Sequence, residues 1–207
     1  MTLRITVFIV DDDPSHRDSL QFLLESVGLE VRSFASAQDF LDAADPQMTG
    51  CLLLDVRMPG MSGLDLQSEL VKAEIFLPII FLTGHGTVPM SVRALKAGAV
   101  DFLQKPFDEQ DLFNAIHQAI ERGRSSRRER DWLRAKQQLM DSLTPREREV
   151  FALIVAGMLN KQIAYRLGTT ERTIKAHRSR VMEKMQAESL ADLIRYAEKL
   201  GVGKPLD

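Results

Sequence analysis

The sequence predicts an α/β domain, a doubly wound five-stranded parallel sheet, followed by a small all-α domain. Three observations carry this expectation. Residues 5–10, 51–54 and 79–82 are short runs that are apolar but for Thr6, as strands buried on both faces of a parallel sheet are. Segments with helical apolar spacing alternate with such runs, which is the signature of right-handed βαβ units. In the last third of the chain only helical patterning remains.

The elements follow in order. The run 5–10 ends at Asp11-Asp12, and Asp13-Pro14 reads as an N-cap with proline at the first helical position. The first helix carries Leu20, Leu23, Leu24 and Val27 on one face and stops at Gly28. Ser36, with Asp39 three residues on, opens the second. Asp55 closes the run 51–54, and Pro59-Gly60 breaks the chain behind it. Thr83 closes the run 79–82, Gly84-His85-Gly86 is the next break, and a helix follows over 88–97. Lys105-Pro106 is the last of these polar signals. Residues 121–141 are Arg-rich, with no Pro and only Gly123, and carry sparse apolar positions at Trp132, Leu133, Leu139 and Met140. They read as a helical linker, more a solvated charged helix than one that pairs between protomers.

A second domain begins at Thr144-Pro145-Arg146-Glu147, a hydroxyl cap, a proline and a glutamate that together make a capping box. Val150, Leu153 and Ile154 give this helix its apolar face, and Gly157 ends it. Residues 160–167 form a short helix expected to cap itself with Asn160. Gly168 permits a sharp turn into a helix over 170–185, where Ile174, Val181 and Met185 form a stripe and Lys175, Arg178 and Arg180 project elsewhere. A short helix, a tight turn and a basic second helix are the parts of a helix-turn-helix, whose second helix enters the DNA major groove. The expected domains are therefore 1–120, a linker 121–141, and 142–207.

Composition sets limits on function. The chain's 207 residues allow one or two domains at roughly 100 to 200 residues each, and 44% apolar content supplies ordinary cores. No apolar stretch approaches the roughly 20 residues of a membrane helix, and the amino terminus lacks the pattern of a signal peptide. A soluble, cytoplasmic protein is expected, with no membrane partner. The formal net charge of −2 conceals an asymmetry: residues 1–120 hold 8 Lys and Arg against 17 Asp and Glu, a net of −9, whereas 121–207 hold 19 against 12, a net of +7. Cys51, the single cysteine, lies inside an apolar run and is expected to be core.

In open α/β sheets the ligand crevice lies beyond the carboxyl ends of the strands, so Asp11, Asp12 and Asp55 should converge there. Three carboxylates repel one another unless a cation joins them, and an all-oxygen donor set suits a hard ion such as Mg²⁺. Lys105 supplies a second, fixed positive charge. With both in place one carboxylate can attack phosphorus to give an acyl phosphate whose oxygens need neutralising partners. Asp55, alone after its strand, is the candidate nucleophile. Adjacent Asp11 and Asp12 are better suited to the metal, and Thr83 can donate its hydroxyl to the phosphoryl group. Taken singly, an Asp before a helix is usually a cap, a strand-end Thr a turn residue and a lone Lys solvated; their joint order outweighs those readings.

These residues resemble the receiver domain of two-component response regulators, a flavodoxin-like fold, over roughly residues 3–120. Met58-Pro59-Gly60-Met61-Ser62-Gly63 and Lys105-Pro106-Phe107 look like that family's loops after the phosphoacceptor and the lysine. The resemblance implies Mg²⁺ held by Asp12, Asp55 and the backbone carbonyl of Arg57, with Asp11 acting through water, and a cis Lys105-Pro106 bond. It makes Phe102 an aromatic that turns inward as Thr83 moves, exposing a dimerisation surface that includes Val92 and Lys96.

The second half resembles the effector domain of NarL/FixJ (LuxR-type) regulators over roughly residues 142–198. That resemblance rests on residues 143–150, on Asn160-Lys161-Gln162-Ile163-Ala164 and on Thr173-Ile174-Lys175-Ala176-His177. Thr83-Gly84-His85-Gly86 and Gly98-Ala99-Val100-Asp101-Phe102 make the chain most similar to FixJ-like members. The similarity implies a DNA-contacting set of Lys161, Thr173, Lys175, Ala176, His177, Ser179 and Arg180. Lys175, Ala176 and Ser179 would meet base edges, and Lys161, His177 and Arg180 phosphates; Ser179 stands where relatives often carry a basic residue. A fourth helix from Ser189 through Leu193 and Ile194 would supply dimer contacts. A sensor histidine kinase, duplex promoter DNA, RNA polymerase and a second copy are the implied partners, with activation of transcription as the outcome.

Two alternatives remain weaker. A haloacid-dehalogenase-type phosphohydrolase would share the nucleophile, Mg²⁺ and lysine, but its general acid two residues on is here Arg57. An RNA-binding tail would present aromatic platforms, and Trp132, Phe151, Tyr165 and Tyr196 are not spaced as one.

Overall fold

The structure, a computed structural model, describes residues 5–84 and 88–202. Its contacts divide the chain into two compact units, Met1–Ser126 and Arg127–Asp207.

The first unit alternates β1 (Thr6–Val10), α1 (Pro14–Ser26), β2 (Glu30–Phe34), α2 (Ala37–Ala43), β3 (Gly50–Asp55), α3 (Gly63–Lys72), β4 (Ile79–Thr83), α4 (Val88–Lys96), β5 (Asp101–Gln104) and the start of α5 (Glu109–Asp141). The strands form one parallel sheet in the order β2-β1-β3-β4-β5. From β1 the chain turns first to one side and then to the other, so the topological switch lies between β1 and β3, where such sheets bind ligands.

Period-two alternation divides the strand side chains between two cores. Phe8, Val10, Leu52, Leu54 and Phe81 pack beneath α2 and α3 residues such as Phe40, Leu66 and Leu70. Val7, Ile9, Cys51, Leu53, Ile80 and Leu82 pack with Leu20 and Leu24 of α1 and Leu112, Ala115, Ile116 and Ala119 of α5. Leu53 is fully buried, and cutting such a leucine to alanine costs about 2–5 kcal/mol in cores of this kind. The caps form as their sequence implies: Asp13 accepts from the N–H groups of Ser15 and His16, and Ser36 from that of Asp39.

The second unit holds the last part of α5, then α6 (Pro145–Val155), α7 (Asn160–Arg166), α8 (Glu171–Lys184) and α9 (Leu190–Lys199). Val150, Phe151, Ile154, Ile163, Ile174, Val181, Met185, Leu193 and Tyr196 form its core. Thr144 and Glu147 complete the expected capping box of α6.

Two expectations are corrected here. Residues 121–141 are helical as expected and mostly exposed, but they are no separate connector. They continue α5, and Trp132, Leu139 and Met140 pack on the core of the second unit. The Trp132 ring meets Tyr196 edge-on at 5.5 Å, and buried Lys136 lies 4.1 Å from the centre of the Tyr196 ring. Asn160 does not cap α7 either. Leu159 holds the cap position, and Gln162 reaches back to accept from its N–H at 2.8 Å, while Asn160 accepts from Arg178 of α8 at 3.4 Å.

Candidate functional site

The carboxyl ends of β1, β3 and β4 meet the turn after β5 at one edge of the sheet. Lys105 Nζ donates to Asp55 Oδ2 at 2.6 Å and to Asp11 Oδ2 at 2.9 Å, bridging the two strands of the topological switch. The other oxygens are occupied too: Asp55 Oδ1 accepts from the Arg57 N–H, and Asp11 Oδ1 from the Asp13 N–H, each at 2.9 Å. Burial opposes the Asp11 charge most strongly, yet the donors His16, Lys105 and Asp13 together hold its pKa down at about 2. Burial likewise opposes the Lys105 charge, and the two carboxylates more than offset it, raising its pKa above the usual lysine value.

Thr83 is buried at the end of β4, and its backbone carbonyl accepts from the Lys105 N–H at 2.7 Å, which fixes the start of the lysine turn. The Lys105–Pro106 bond is cis. Gly63 permits the close approach of α3: a Cβ there would lie 2.2 Å from the Asp55 carbonyl oxygen. Asp12 and Arg57 are exposed, and the Asp12 carboxylate has no hydrogen bond or ion pair among the described residues.

No ready-made cluster of three or more metal-ligating side chains occurs among the described residues. The donor chemistry nevertheless fits a hard divalent ion, because Asp12 is unengaged and it, Asp55 and the Arg57 carbonyl offer only oxygen.

His16 is the residue that sequence reasoning missed. Its Nδ1 lies 2.6 Å from Asp11 Oδ2, and Arg17 donates to the Asp11 carbonyl at 2.7 Å. Nothing marks a lone histidine in sequence; the signal is its place in the helix turn that leaves the acidic strand end.

Farther along the sheet, Phe102 is half-buried and tilted against Phe81 with ring centres 6.2 Å apart. Val92 and Lys96 are exposed on α4, with Leu95 beside them. Gln67 of α3, buried, donates to the carbonyls of Ala94 and Ala97 at 3.3 and 3.2 Å and so anchors the end of α4. Of the break after Thr83, His85 and Gly86 lie outside the described residues.

In the second unit α7 and α8 form the helix-turn-helix. Ile174, Val181 and Met185 turn inward, while Lys175, Ala176, Ser179 and Arg180 share the exposed face, with Lys161 exposed on α7. Arg172, which sequence reasoning passed over, lies on that same face. Thr173 is exposed and also serves the cap, its hydroxyl 2.9 Å from that of Thr170. His177 is half-buried at the border, with Nδ1 enclosed and without a hydrogen-bond partner among the described residues.

Two protein families account for most of this chain: the response regulator receiver domain matches residues 7–117, and the bacterial regulatory proteins of the luxR family match residues 141–197. The transcriptional regulatory protein FixJ of Azorhizobium caulinodans is 44% identical over 198 residues, covering 96% of this chain and 94% of that protein. The chain is a response regulator of the NarL/FixJ type.

The regulator is also 52% identical over 196 residues to Nodulation protein W of Bradyrhizobium diazoefficiens, a match covering 95% of this chain and 86% of that protein. Among solved structures, the response regulator StyR is 48% identical with a TM-score of 0.82, over 95% of this chain and 99% of StyR. Full-length FixJ from B. japonicum is 42% identical with a TM-score of 0.58, over 98% and 100%. The regulator thus works in a two-component system and controls transcription through DNA; its family is one of transcription factors rather than enzymes. Receiver domains of this kind bind Mg²⁺ at the phosphorylation site, and a kinase and DNA are the partners that its two domains imply. No described helix is long and apolar enough to cross a membrane.

Proposed function

We propose that a sensor histidine kinase phosphorylates this regulator on Asp55, and that the modified protein dimerises and binds promoter duplex DNA to activate transcription through RNA polymerase. One observation carries the reading: the Lys105 ammonium bridges Asp11 and Asp55 across the switch point of the sheet. A carboxylate oxygen of Asp55 attacks phosphorus, the donor leaves with its electron pair, and an acyl phosphate forms. Lys105 and the Thr83 hydroxyl neutralise the new phosphoryl oxygens. Asp12, Asp55 and the Arg57 carbonyl would hold Mg²⁺, with Asp11 acting through water, and the ion would supply further positive charge at those oxygens.

As Thr83 follows the phosphoryl group, Phe102 turns inward and the α4 surface around Val92 and Lys96 becomes a dimer contact, with α9 adding a second. Two copies set their α8 helices one helical turn of DNA apart, and each half-site contact strengthens the other. Lys175, Ala176 and Ser179 read base edges, whereas Lys161, His177 and Arg180 serve the backbone. Moving a population from 1:99 to 99:1 takes about 5.5 kcal/mol of differential stabilisation, so activation is graded rather than complete.

Incubation with a small acyl phosphate and Mg²⁺ should add one phosphoryl group to the wild type and none to Asp55→Asn, as read by intact mass. Selection from a genomic duplex library should then tighten for the modified protein alone. Equal DNA affinity before and after modification counts against the switch.

A further inference from the structure

We propose that His16 is a positioning residue of the phosphoryl-transfer site: it keeps Asp11 paired, so that Lys105 can leave that carboxylate for the phosphoryl group on Asp55. The inference rests on Asp55 being the phosphoacceptor.

Oδ2 of Asp11 has two donors, Lys105 Nζ at 2.9 Å and His16 Nδ1 at 2.6 Å. An ionised carboxylate only accepts hydrogen bonds, so the proton between them belongs to Nδ1 of the imidazole. Lys105 is shared and already lies nearer to Asp55, at 2.6 Å. Once Asp55 carries a phosphoryl group, negative charge accumulates beside it and the ammonium follows. Asp11 is only 1% exposed, and a buried carboxylate oxygen stripped of its donor is strongly destabilising. With His16 in place that oxygen retains a charge-assisted bond, so the departure of Lys105 costs little.

The surroundings hold His16 to this task. Asp13 accepts from the His16 backbone N–H at 3.4 Å and fixes the first turn of α1. The imidazole rests edge-on against Phe107 with centroids 6.4 Å apart, so the turn that carries Lys105 also buttresses its co-donor. The remaining acceptors of Asp11 are met without Lys105: Asp13 N–H donates to Oδ1 and Arg17 to the backbone carbonyl. The first turn of α1 therefore grips Asp11 at three atoms while the lysine is free to move.

The test follows phosphorylation of the full chain by a small acyl phosphate with Mg²⁺ over a range of donor concentrations. His16→Phe preserves the ring against Phe107 and removes the donor; His16→Asn restores an N–H. The maximal rate should fall about tenfold in His16→Phe, the order expected for one hydrogen bond to a charged group, with the half-saturating donor concentration unchanged. His16→Asn should recover part of that rate. Proton NMR supplies a readout independent of turnover: the His16 Nδ1–H signal should exchange slowly with water and persist when beryllium fluoride with Mg²⁺ mimics the phosphoryl group. A wild-type maximal rate in His16→Phe overturns the proposal, and so does loss of the Nδ1–H signal on adding the mimic. A wild type that gains no phosphoryl mass overturns the reading of Asp55 as well, and that result is distinct because it precedes any comparison of His16 variants.

Discussion

Glu147 joins a cap that the sequence shows to an ion pair that it hides. It accepts from the Thr144 N–H at 2.9 Å to close the cap of α6, and from Lys184 Nζ at 2.6 Å at the end of α8. The Lys184 bond first and the Thr144 amide second pull its pKa from 4.5 to about 2. Because the folded pKa lies below the unfolded one, this stability is fully present above pH 4.5 and is lost as pH falls through about 2. Trp132, the chain's single tryptophan, packs on the same core and reports it by fluorescence. Glu147→Gln should lower the denaturation midpoint at neutral pH and flatten its decline across that acid window. At this scale the meeting of Asp11, Asp55, Thr83 and Lys105 at one sheet edge was legible, since the first three close apolar runs and the lysine turn follows the last strand. Both the pairing of Glu147 with Lys184 and that of His16 with Asp11 were hidden, because they depend on how helix turns return over distant backbone.

Among elements, α8 would, on the function proposed above, divide its exposed side chains between two tasks that salt can separate. Lys175→Ala should relax selectivity at one base position by about 1–3 kcal/mol, measured by competition among duplexes altered one base pair at a time. Arg180→Ala should weaken all duplexes alike and reduce the slope of log affinity against log salt by about 0.9, the share of one phosphate contact. Helix starts were readable at Asp13, Ser36, Thr144 and Ser189, where a short polar side chain meets backbone N–H groups, whereas the capping box of α3 at Ser62 went unread. Asn160 misled because the side chain that would cap its helix is taken by Arg178. The last part of α5 misled for a different reason. Trp132, Lys136, Leu139 and Met140 form one stripe at helical spacing, but a lysine interrupts it, and its burial under Tyr196 follows from packing alone.

For the molecule as a whole, this stripe moves the boundary of the second folding unit upstream. A fragment that begins at Ser142 lacks the Trp132 ring that packs on Tyr196, whereas one that begins at Arg127 retains it. The longer fragment should be the more stable by about 3 kcal/mol or more, the scale of deleting a packed tryptophan, as measured by urea denaturation. The division into an acidic front and a basic rear was plain from composition, and the parallel βαβ pattern followed from the alternation of runs; where one folding unit yields to the next inside a continuous helix was not, because helical patterning does not change there. Cys51 lies near the start of β3 with no exposed surface, and burial pushes its thiol up to about 12. Only about one thiol in 10⁵ is then ionised at neutral pH, which leaves it inert toward alkylating reagents. A cysteine introduced on any exposed helix would be the sole reactive thiol, so fluorophores or spin labels can be attached one site at a time without first removing the native residue.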